Sequence, residues 1–197
     1  MLEHDMDEPA DVSAAQLRAV LCEVVRMRGY SRASEPFRLS SGGTSYDYVD
    51  MRRAVANGAD LALAAEAVIS TLDEAGVEFD TIGGMTMGAD PVSHAVAMLA
   101  DTSWFSVRKA EKDHGTRNRV EGNRLDANST AVVFEDTVST GRSVLEALDV
   151  VVASGANVVA VVTLLDRGDA ATRLFAARAV PYIPLLTYRE LGIDPLD

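Results

Sequence analysis

The sequence is poor in cysteine and lysine and contains no long apolar run. A single cysteine, Cys22, excludes an internal disulfide and a cysteine-rich metal site, which favours a reducing cytoplasm. No apolar run reaches the ~18–20 residues that a membrane-spanning helix needs. Acidic residues outnumber basic ones by 30 to 18, and the net charge of −12 argues against nucleic-acid binding. We therefore expect a cytoplasmic protein without membrane or nucleic-acid partners.

Lysine is confined to one short segment. The two lysines, Lys109 and Lys112, lie three positions apart, whereas the other 16 basic residues are arginines. A third of all basic side chains fall within residues 108–124 (Arg108, Lys109, Lys112, Arg117, Arg119 and Arg124). An anionic ligand of so acidic a chain needs a local positive site, and this segment supplies one. Taken alone, the segment also fits a solvated surface loop.

The hydrophobic pattern predicts one α/β domain spanning residues 1–197. From residue 79 onward, apolar strands alternate with amphipathic helices, which is typical of a mostly parallel sheet with helices on both faces. Residues 37–49 alternate around a Ser-Ser-Gly-Gly turn, which predicts a β-hairpin. The acidic stretch 1–11 lacks the features of a signal peptide and is expected to be a flexible tail.

The run TAVVFEDTVSTGRSVLEAL (residues 130–148) predicts a buried strand, a polar turn and a helix. The N-terminus of a helix suits a phosphate, because its backbone N–H groups are unpaired and its dipole is positive there. The preceding carboxylates, Glu135 and Asp136, suit the paired hydroxyls of a sugar. The alternative is that Asp136 or Ser139 only caps the helix, and for this pattern alone capping is the simpler interpretation.

The run VVFEDTVSTGRS within this segment resembles the phosphoribosyl pyrophosphate (PRPP) signature of the type I phosphoribosyltransferases. The resemblance implies that family's fold, with a small hairpin hood over residues 35–53. It also implies that Glu135 and Asp136 bind the ribose hydroxyls of PRPP. The residues that follow them would bind its 5′-phosphate: Thr137, Val138, Ser139, Thr140, Gly141, Arg142 and Ser143.

The segment that contains both lysines indicates which group of phosphoribosyltransferases the chain resembles. RKAEKDHG (residues 108–115) is similar to the mobile catalytic loop of orotate phosphoribosyltransferases, Arg-Lys-x-x-Lys-x-His-Gly. This implies a mobile loop over residues 109–119 with four catalytic residues: Arg108, Lys109, Lys112 and His114. The implied reaction transfers the ribose phosphate of PRPP to orotate and releases pyrophosphate. Cations on this loop would stabilise the departing pyrophosphate, and His114 would donate a proton to it.

The same resemblance, which extends over residues 12–194, implies further partners. Mg²⁺ would enter with PRPP and need no dedicated protein ligands. The protein would be a homodimer in which the loop of one subunit reaches the active site of the other. The residues expected to contact orotate are Tyr48, Val49, Ser139 and Arg167.

The chain departs from the family pattern at two usual lysine positions. In the hood, Ser40 stands at a usual lysine position, and Arg38, on the same strand face, is the candidate substitute. The second usual lysine position is occupied by Met87, in Thr86-Met87-Gly88. Thr86 and Met87 are still expected to contact pyrophosphate through their backbone. Nearby, Trp104 is expected in the core of a strand.

Two alternatives to an orotate enzyme stay open. The first is an enzyme that uses a purine or another pyrimidine as the acceptor, because both lysine replacements touch the surroundings of the substrates. The second is a non-catalytic regulator of the same fold that binds nucleotides or RNA. The net charge of −12 and the intact basic segment argue against the regulator.

Overall fold

The computed structural model describes residues 12–39, 43–110 and 119–196. Ser40, Lys112, His114 and the expected tail 1–11 lie outside these residues. The elements are α1 (Ala14–Val24), a π-helical turn (Val25–Gly29), β1 (Tyr30–Arg38), β2 (Thr44–Val49), α2 (Met51–Ala54), α3 (Gly58–Glu74), β3 (Thr81–Met85), α4 (Asp90–Leu99), β4 (Ser103–Val107), β5 (Val120–Gly122), β6 (Thr130–Val138), α5 (Arg142–Ala153), β7 (Asn157–Asp166), α6 (Ala170–Ala177), β8 (Tyr182–Thr187) and α7 (Tyr188–Leu191).

A six-stranded sheet organises the chain, in the order β5-β4-β3-β6-β7-β8. Neighbouring strands run parallel except for β5, which pairs antiparallel with the edge of β4. The fold class predicted from the alternating pattern is therefore confirmed. None of the described helices is long and apolar enough to cross a membrane.

Hydrophobic cores cover both faces of the sheet. The central strand β6 alternates its buried side chains between them. Val132 and Phe134 pack with α1, α3 and α4, whereas Ala131 and Val133 pack with α5 and α6. All four of these side chains are fully buried. This burial on both faces explains why β6 reads as an uninterrupted apolar run in the sequence.

Strand β6 is longer than its neighbour β3, and this difference creates the site. The pairing of β3 with β6 ends at Phe134, whereas β6 continues to pair with β7 as far as Val138. Glu135 and Asp136 therefore extend beyond the last pair of β3, at the carboxyl edge of the sheet. That edge is where ligands bind in open parallel sheets.

The predicted hairpin is present as a separate antiparallel sheet of β1 and β2. Strand β1 begins at Tyr30, several residues before the alternation in the sequence indicates, and the pairing is irregular between Arg32 and Phe37. The short strand β5 was not predicted. The expectation for Trp104 was wrong, because its side chain is 41 % exposed and lies against Gly122 of β5 and the ring of His94.

Candidate active site

A cavity of about 860 Å³ opens at the carboxyl edge of the sheet. Four parts of the chain meet around it: the end of β2 with α2, the turn after β3, the segment after β4 and the end of β6. The lining residues are Tyr48, Val49, Asp50, Met51, Arg52, Met85, Thr86, Met87, Gly88, Arg108, Lys109, Ala110, Glu135, Asp136, Thr137 and Ser143. The cavity thus brings together residues predicted to bind PRPP, to act in catalysis and to face the base.

The acidic pair forms the floor of this cavity. Glu135 is 6 % exposed, and its Oε2 has no hydrogen-bond partner among the described residues. Burial, and then the charge of Asp136, raises the pKa of Glu135 to about 8. Burial also raises the pKa of Asp136, although the Thr137 N–H, which donates to its Oδ1 over 2.8 Å, lowers it. Below a pH of about 8 the Glu135 carboxyl therefore keeps its proton, and the pair offers both a donor and acceptors to a ligand in the cavity.

The turn after β3 packs tightly against the acidic pair. Asp90 accepts hydrogen bonds from Thr86 Oγ1 at 2.6 Å and from Ser106 Oγ at 2.7 Å, which fixes the turn to β4. A Cβ atom at Gly88 would lie 2.8 Å from Asp136 Oδ1, so only glycine fits there without displacing the carboxylate. The Thr86–Met87 peptide bond is cis, and the Met87 side chain is 66 % exposed.

A smaller hollow of about 60 Å³ lies at the start of α5. Gly141 precedes this helix with φ of 76°, a left-handed conformation that glycine adopts without strain. The hollow is lined by Glu135, Thr137, Val138, Ser139, Thr140, Gly141, Arg142, Ser143 and Val144. It therefore contains all seven residues of the predicted phosphate loop at a helix N-terminus of the kind that binds phosphate.

The segment after β4 contributes two cationic side chains to the cavity lining, Arg108 and Lys109. Arg108 is half-buried and its Nη1 lies 3.4 Å from Glu121 Oε1, whereas Lys109 is exposed. Arg119 holds the base of this segment: it donates to Arg108 O over 2.8 Å and to Glu146 over 2.5 Å. Both predicted catalytic residues that the structure describes thus line the cavity.

The placement of two arginines relative to the cavity differs from what the sequence led us to expect. Arg52, which was not predicted, lines the cavity, and its charge lowers the pKa of Asp136. It follows the hood residues Tyr48 and Val49 without a motif of its own. Arg38 is exposed at the end of β1 and is absent from the described lining of the cavity.

Arg167 does not line the cavity in the described residues, although it was predicted to contact the base. Its side chain is 3 % exposed and donates from both terminal nitrogens to Asp47 O, each over 3.3 Å. Its Nε has no described partner. Burial lowers the pKa of Arg167, while the nearby Asp47 carboxylate raises it. Arg167 therefore lies behind the hairpin that walls the cavity.

The described residues contain no group of three or more histidine, cysteine, aspartate or glutamate side chains placed to hold a metal ion. Glu135 and Asp136 nevertheless present carboxylate oxygens to the cavity. Mg²⁺ prefers oxygen ligands and is commonly bound through one or two carboxylates together with substrate phosphates. The donor set thus fits a magnesium ion that arrives with a phosphorylated substrate.

A mostly parallel sheet, a small antiparallel hairpin, and an acidic pair that precedes a glycine turn at a helix N-terminus together fit the type I phosphoribosyltransferase class. No protein-family model matches the chain. The chain is 37 % identical over 184 residues to orotate phosphoribosyltransferase of Corynebacterium glutamicum, covering 91 % of this chain and 96 % of that protein. It is 41 % identical over 162 residues to the Streptomyces avermitilis enzyme of that name, covering 79 % and 87 %.

A solved structure gives the same result. The crystal structure of Mycobacterium tuberculosis orotate phosphoribosyltransferase in complex with PRPP matches with a TM-score of 0.73 and 32 % identity. The match covers 90 % of this chain and 99 % of that chain. The chain belongs to the orotate phosphoribosyltransferase family.

Proposed function

We propose that the protein transfers the 5-phosphoribosyl group of PRPP to N1 of orotate, giving orotidine 5′-monophosphate and pyrophosphate in pyrimidine synthesis. One observation carries the proposal: a single cavity joins the acidic pair and the start of the phosphate loop to Arg108 and Lys109. These are the groups that a ribose bearing a 5′-phosphate and a 1-diphosphate requires. A relative of known structure binds PRPP.

The phosphate loop and the acidic pair would hold the sugar. The 5′-phosphate accepts hydrogen bonds from the backbone N–H groups at the start of α5 and from the hydroxyls of Thr137, Thr140 and Ser143. The ribose hydroxyls hydrogen-bond to Glu135 and Asp136. Because these contacts fix both ends of the ribose phosphate, the anomeric carbon faces the cavity, where the base approaches.

The basic wall would stabilise the leaving group. As the bond at the anomeric carbon breaks, negative charge builds on the diphosphate and positive charge on the sugar. Arg108 and Lys109 face the cavity where that negative charge develops. Lys112 and His114 are proposed to act with them. Mg²⁺ bound with PRPP would neutralise part of the diphosphate charge, and the carboxylates of Glu135 and Asp136 would help to orient it.

Arg52 offers a replacement for the cation that is missing at Met87. Its side chain is 53 % exposed, and its Nε lies 4.0 Å from Asp50 Oδ1, beyond hydrogen-bond distance, so Asp50 holds it only loosely. Arg52 and the turn at Met87 line the same cavity. A guanidinium in this position can pair with phosphate oxygens through two N–H groups.

The hood would hold the base. Tyr48 is 49 % exposed, faces the cavity, and packs edge to face on Phe37 with ring centroids 5.9 Å apart. It is therefore available to stack on a pyrimidine ring. Val49 would cover the ring edge, and Ser139 would contact the base from the phosphate loop. Arg167, buried behind the hairpin, would contribute positive charge to the base site from outside the described lining of the cavity.

The active form would be a cytoplasmic homodimer. The basic segment after β4 is proposed to complete the site of the neighbouring subunit, as the resemblance of residues 108–115 implies. Transfer to another nucleobase is the second candidate, because Ser40 and Met87 replace lysines near the substrates.

A base panel tests the proposal. Purified protein is mixed with PRPP, Mg²⁺ and one base at a time, and both pyrophosphate and the nucleotide product are measured. We expect turnover with orotate and none with uracil or hypoxanthine. Turnover with one of those bases and none with orotate would reject the proposed acceptor while keeping the PRPP chemistry.

A further inference from the structure

A buried carboxylate ties the two strands of the hairpin together. Asp47 of β2 is 1 % exposed, and its Oδ1 accepts hydrogen bonds from Tyr30 Oη at 2.9 Å and from Arg32 Nη1 at 2.7 Å. Both donors belong to β1, and Arg32 is the direct cross-strand partner of Asp47. A carboxylate this deeply buried is unfavourable unless it is paired, so these contacts largely determine where Asp47 lies.

These side-chain contacts lie where the ladder becomes irregular. The regular pairing of β1 with β2 runs from Tyr30 to Arg32 and resumes only at Phe37. The next two residues of β2 after Asp47 are Tyr48 and Val49, which line the cavity. Tyr48 and Val49 pair with Ser31 and Tyr30 in the regular stretch, which ends at the Arg32–Asp47 pair. The Asp47 contacts therefore hold the last regular pair next to this cavity wall, at the point beyond which regular pairing resumes only at Phe37.

The backbone of Asp47 contacts the buried arginine. Its carbonyl oxygen accepts from both terminal nitrogens of Arg167, at 3.3 Å each. Arg167 is itself held by its backbone, because its N–H donates to Val138 O over 2.7 Å and its carbonyl accepts from Leu196 N at 2.6 Å. One residue, Asp47, thus connects the hairpin to an arginine anchored at the end of the phosphate-loop strand.

We infer that Asp47, held by Tyr30 and Arg32, is a positioning residue for the base site: it sets the hood wall against Arg167. The inference rests on the proposed function in so far as the base is orotate. Asp47 acts through its neighbours and does not itself line the cavity in the described residues. Its effect should therefore fall mainly on the base and leave PRPP binding largely unchanged, because the groups proposed to hold PRPP lie on other elements: β6, the start of α5, α2 and the segment after β4.

Three variants test this role. Asp47→Asn keeps the shape and the backbone carbonyl but removes the charge, and Tyr30→Phe removes one donor without changing any charge. Asp47→Asn should raise KM for orotate about tenfold, the factor for one lost charge-assisted hydrogen bond, with KM for PRPP changed less than about twofold. Tyr30→Phe should act in the same direction more weakly. Tyr46→Phe is the matched control: it removes a hydroxyl from an exposed tyrosine of the hairpin, keeps the ring beneath Arg32, and should change neither constant.

A second readout needs no substrate. The Arg167 Nε–H is buried, so its side-chain NMR signal should exchange slowly with solvent in the wild-type protein. Exchange should be faster in Asp47→Asn and in Tyr30→Phe, and unchanged in Tyr46→Phe. Adding Tyr30→Phe to Asp47→Asn should change the exchange rate little further, because both substitutions act on the same hydrogen bond between Tyr30 and Asp47.

The inference is overturned if KM rises equally for orotate and PRPP, or if Arg167 exchange is the same in all variants. Either result would give Asp47 a general structural role. If the wild-type protein uses another base, the proposed function fails, but the KM comparison with that base and the exchange measurement still test Asp47.

Discussion

Replacing Glu135 with glutamine should remove a loss of folding stability that the substrate-free protein suffers as the pH rises. The side chain is 6 % exposed, and its pKa is raised from 4.5 to about 8, by burial first and then by the charge of Asp136. A carboxyl group whose pKa is higher in the folded than in the unfolded state favours folding in its protonated form. Glutamine has nearly the same shape and is always neutral, so Glu135→Gln mimics that form at every pH.

Proton linkage gives the sign and size of the effect of Glu135 on the free energy of unfolding. Below the unfolded pKa of 4.5, both states carry the proton and the group has no pH-dependent effect. Between that pH and about 8, only the folded state keeps the proton, so the free energy of unfolding falls by ~1.4 kcal/mol per pH unit. The accumulated loss at pH 8 is therefore several kcal/mol, a large part of the ~5–15 kcal/mol that stabilises a typical domain.

Urea unfolding followed by circular dichroism at pH values from about 5 to 9 measures this difference directly. We expect wild type and Glu135→Gln to differ little at the acidic end and the variant to be more stable by several kcal/mol at the basic end. Glu66→Gln, which alters an exposed carboxylate on α3, is the matched control and should follow wild type. Parallel curves for wild type and Glu135→Gln would refute the idea that the buried pair holds a proton.

Three further predictions concern the cavity. Gly88→Ala should weaken PRPP binding at least about tenfold in calorimetry, because its Cβ would lie 2.8 Å from Asp136 Oδ1; unchanged affinity would show that the carboxylate moves freely. Arg52→Met should raise KM for PRPP about tenfold, whereas Arg53→Met, an exposed neighbour outside the described lining, should not; equal effects would deny Arg52 a specific role. If sites are shared, mixing inactive Lys109→Ala with inactive Asp136→Ala should restore part of the activity through hybrid dimers, and no recovery after proven subunit exchange would contradict sharing.

Sequence patterns predicted the strand, turn and helix around the expected phosphate loop because these elements are local. The apolar run of β6, the acidic pair, the turn and the amphipathic α5 follow one another in the chain, and each is determined by its own side chains. The same holds for the strands buried on both faces. Short elements were harder to predict from the sequence. Strand β5 has only three residues and pairs with the edge of the sheet, so it shows no hydrophobic period of its own.

Contacts between distant segments were not predictable from local pattern. Arg167 lies 120 positions from the Asp47 carbonyl that it contacts, and nothing near either residue signals that pairing. Arg52 reaches the cavity only because α2 follows the hairpin directly. Trp104 sits in an apolar strand, which favours burial, but the short edge strand β5 does not cover it fully.

A crystal structure with PRPP and Mg²⁺ tests the central claim most directly. We expect the ribose hydroxyls on Glu135 and Asp136, the 5′-phosphate at the start of α5, and the diphosphate directed toward Arg108 and Lys109. A PRPP molecule bound with its ribose away from the acidic pair, or with its diphosphate facing away from the basic segments of both subunits, would contradict it.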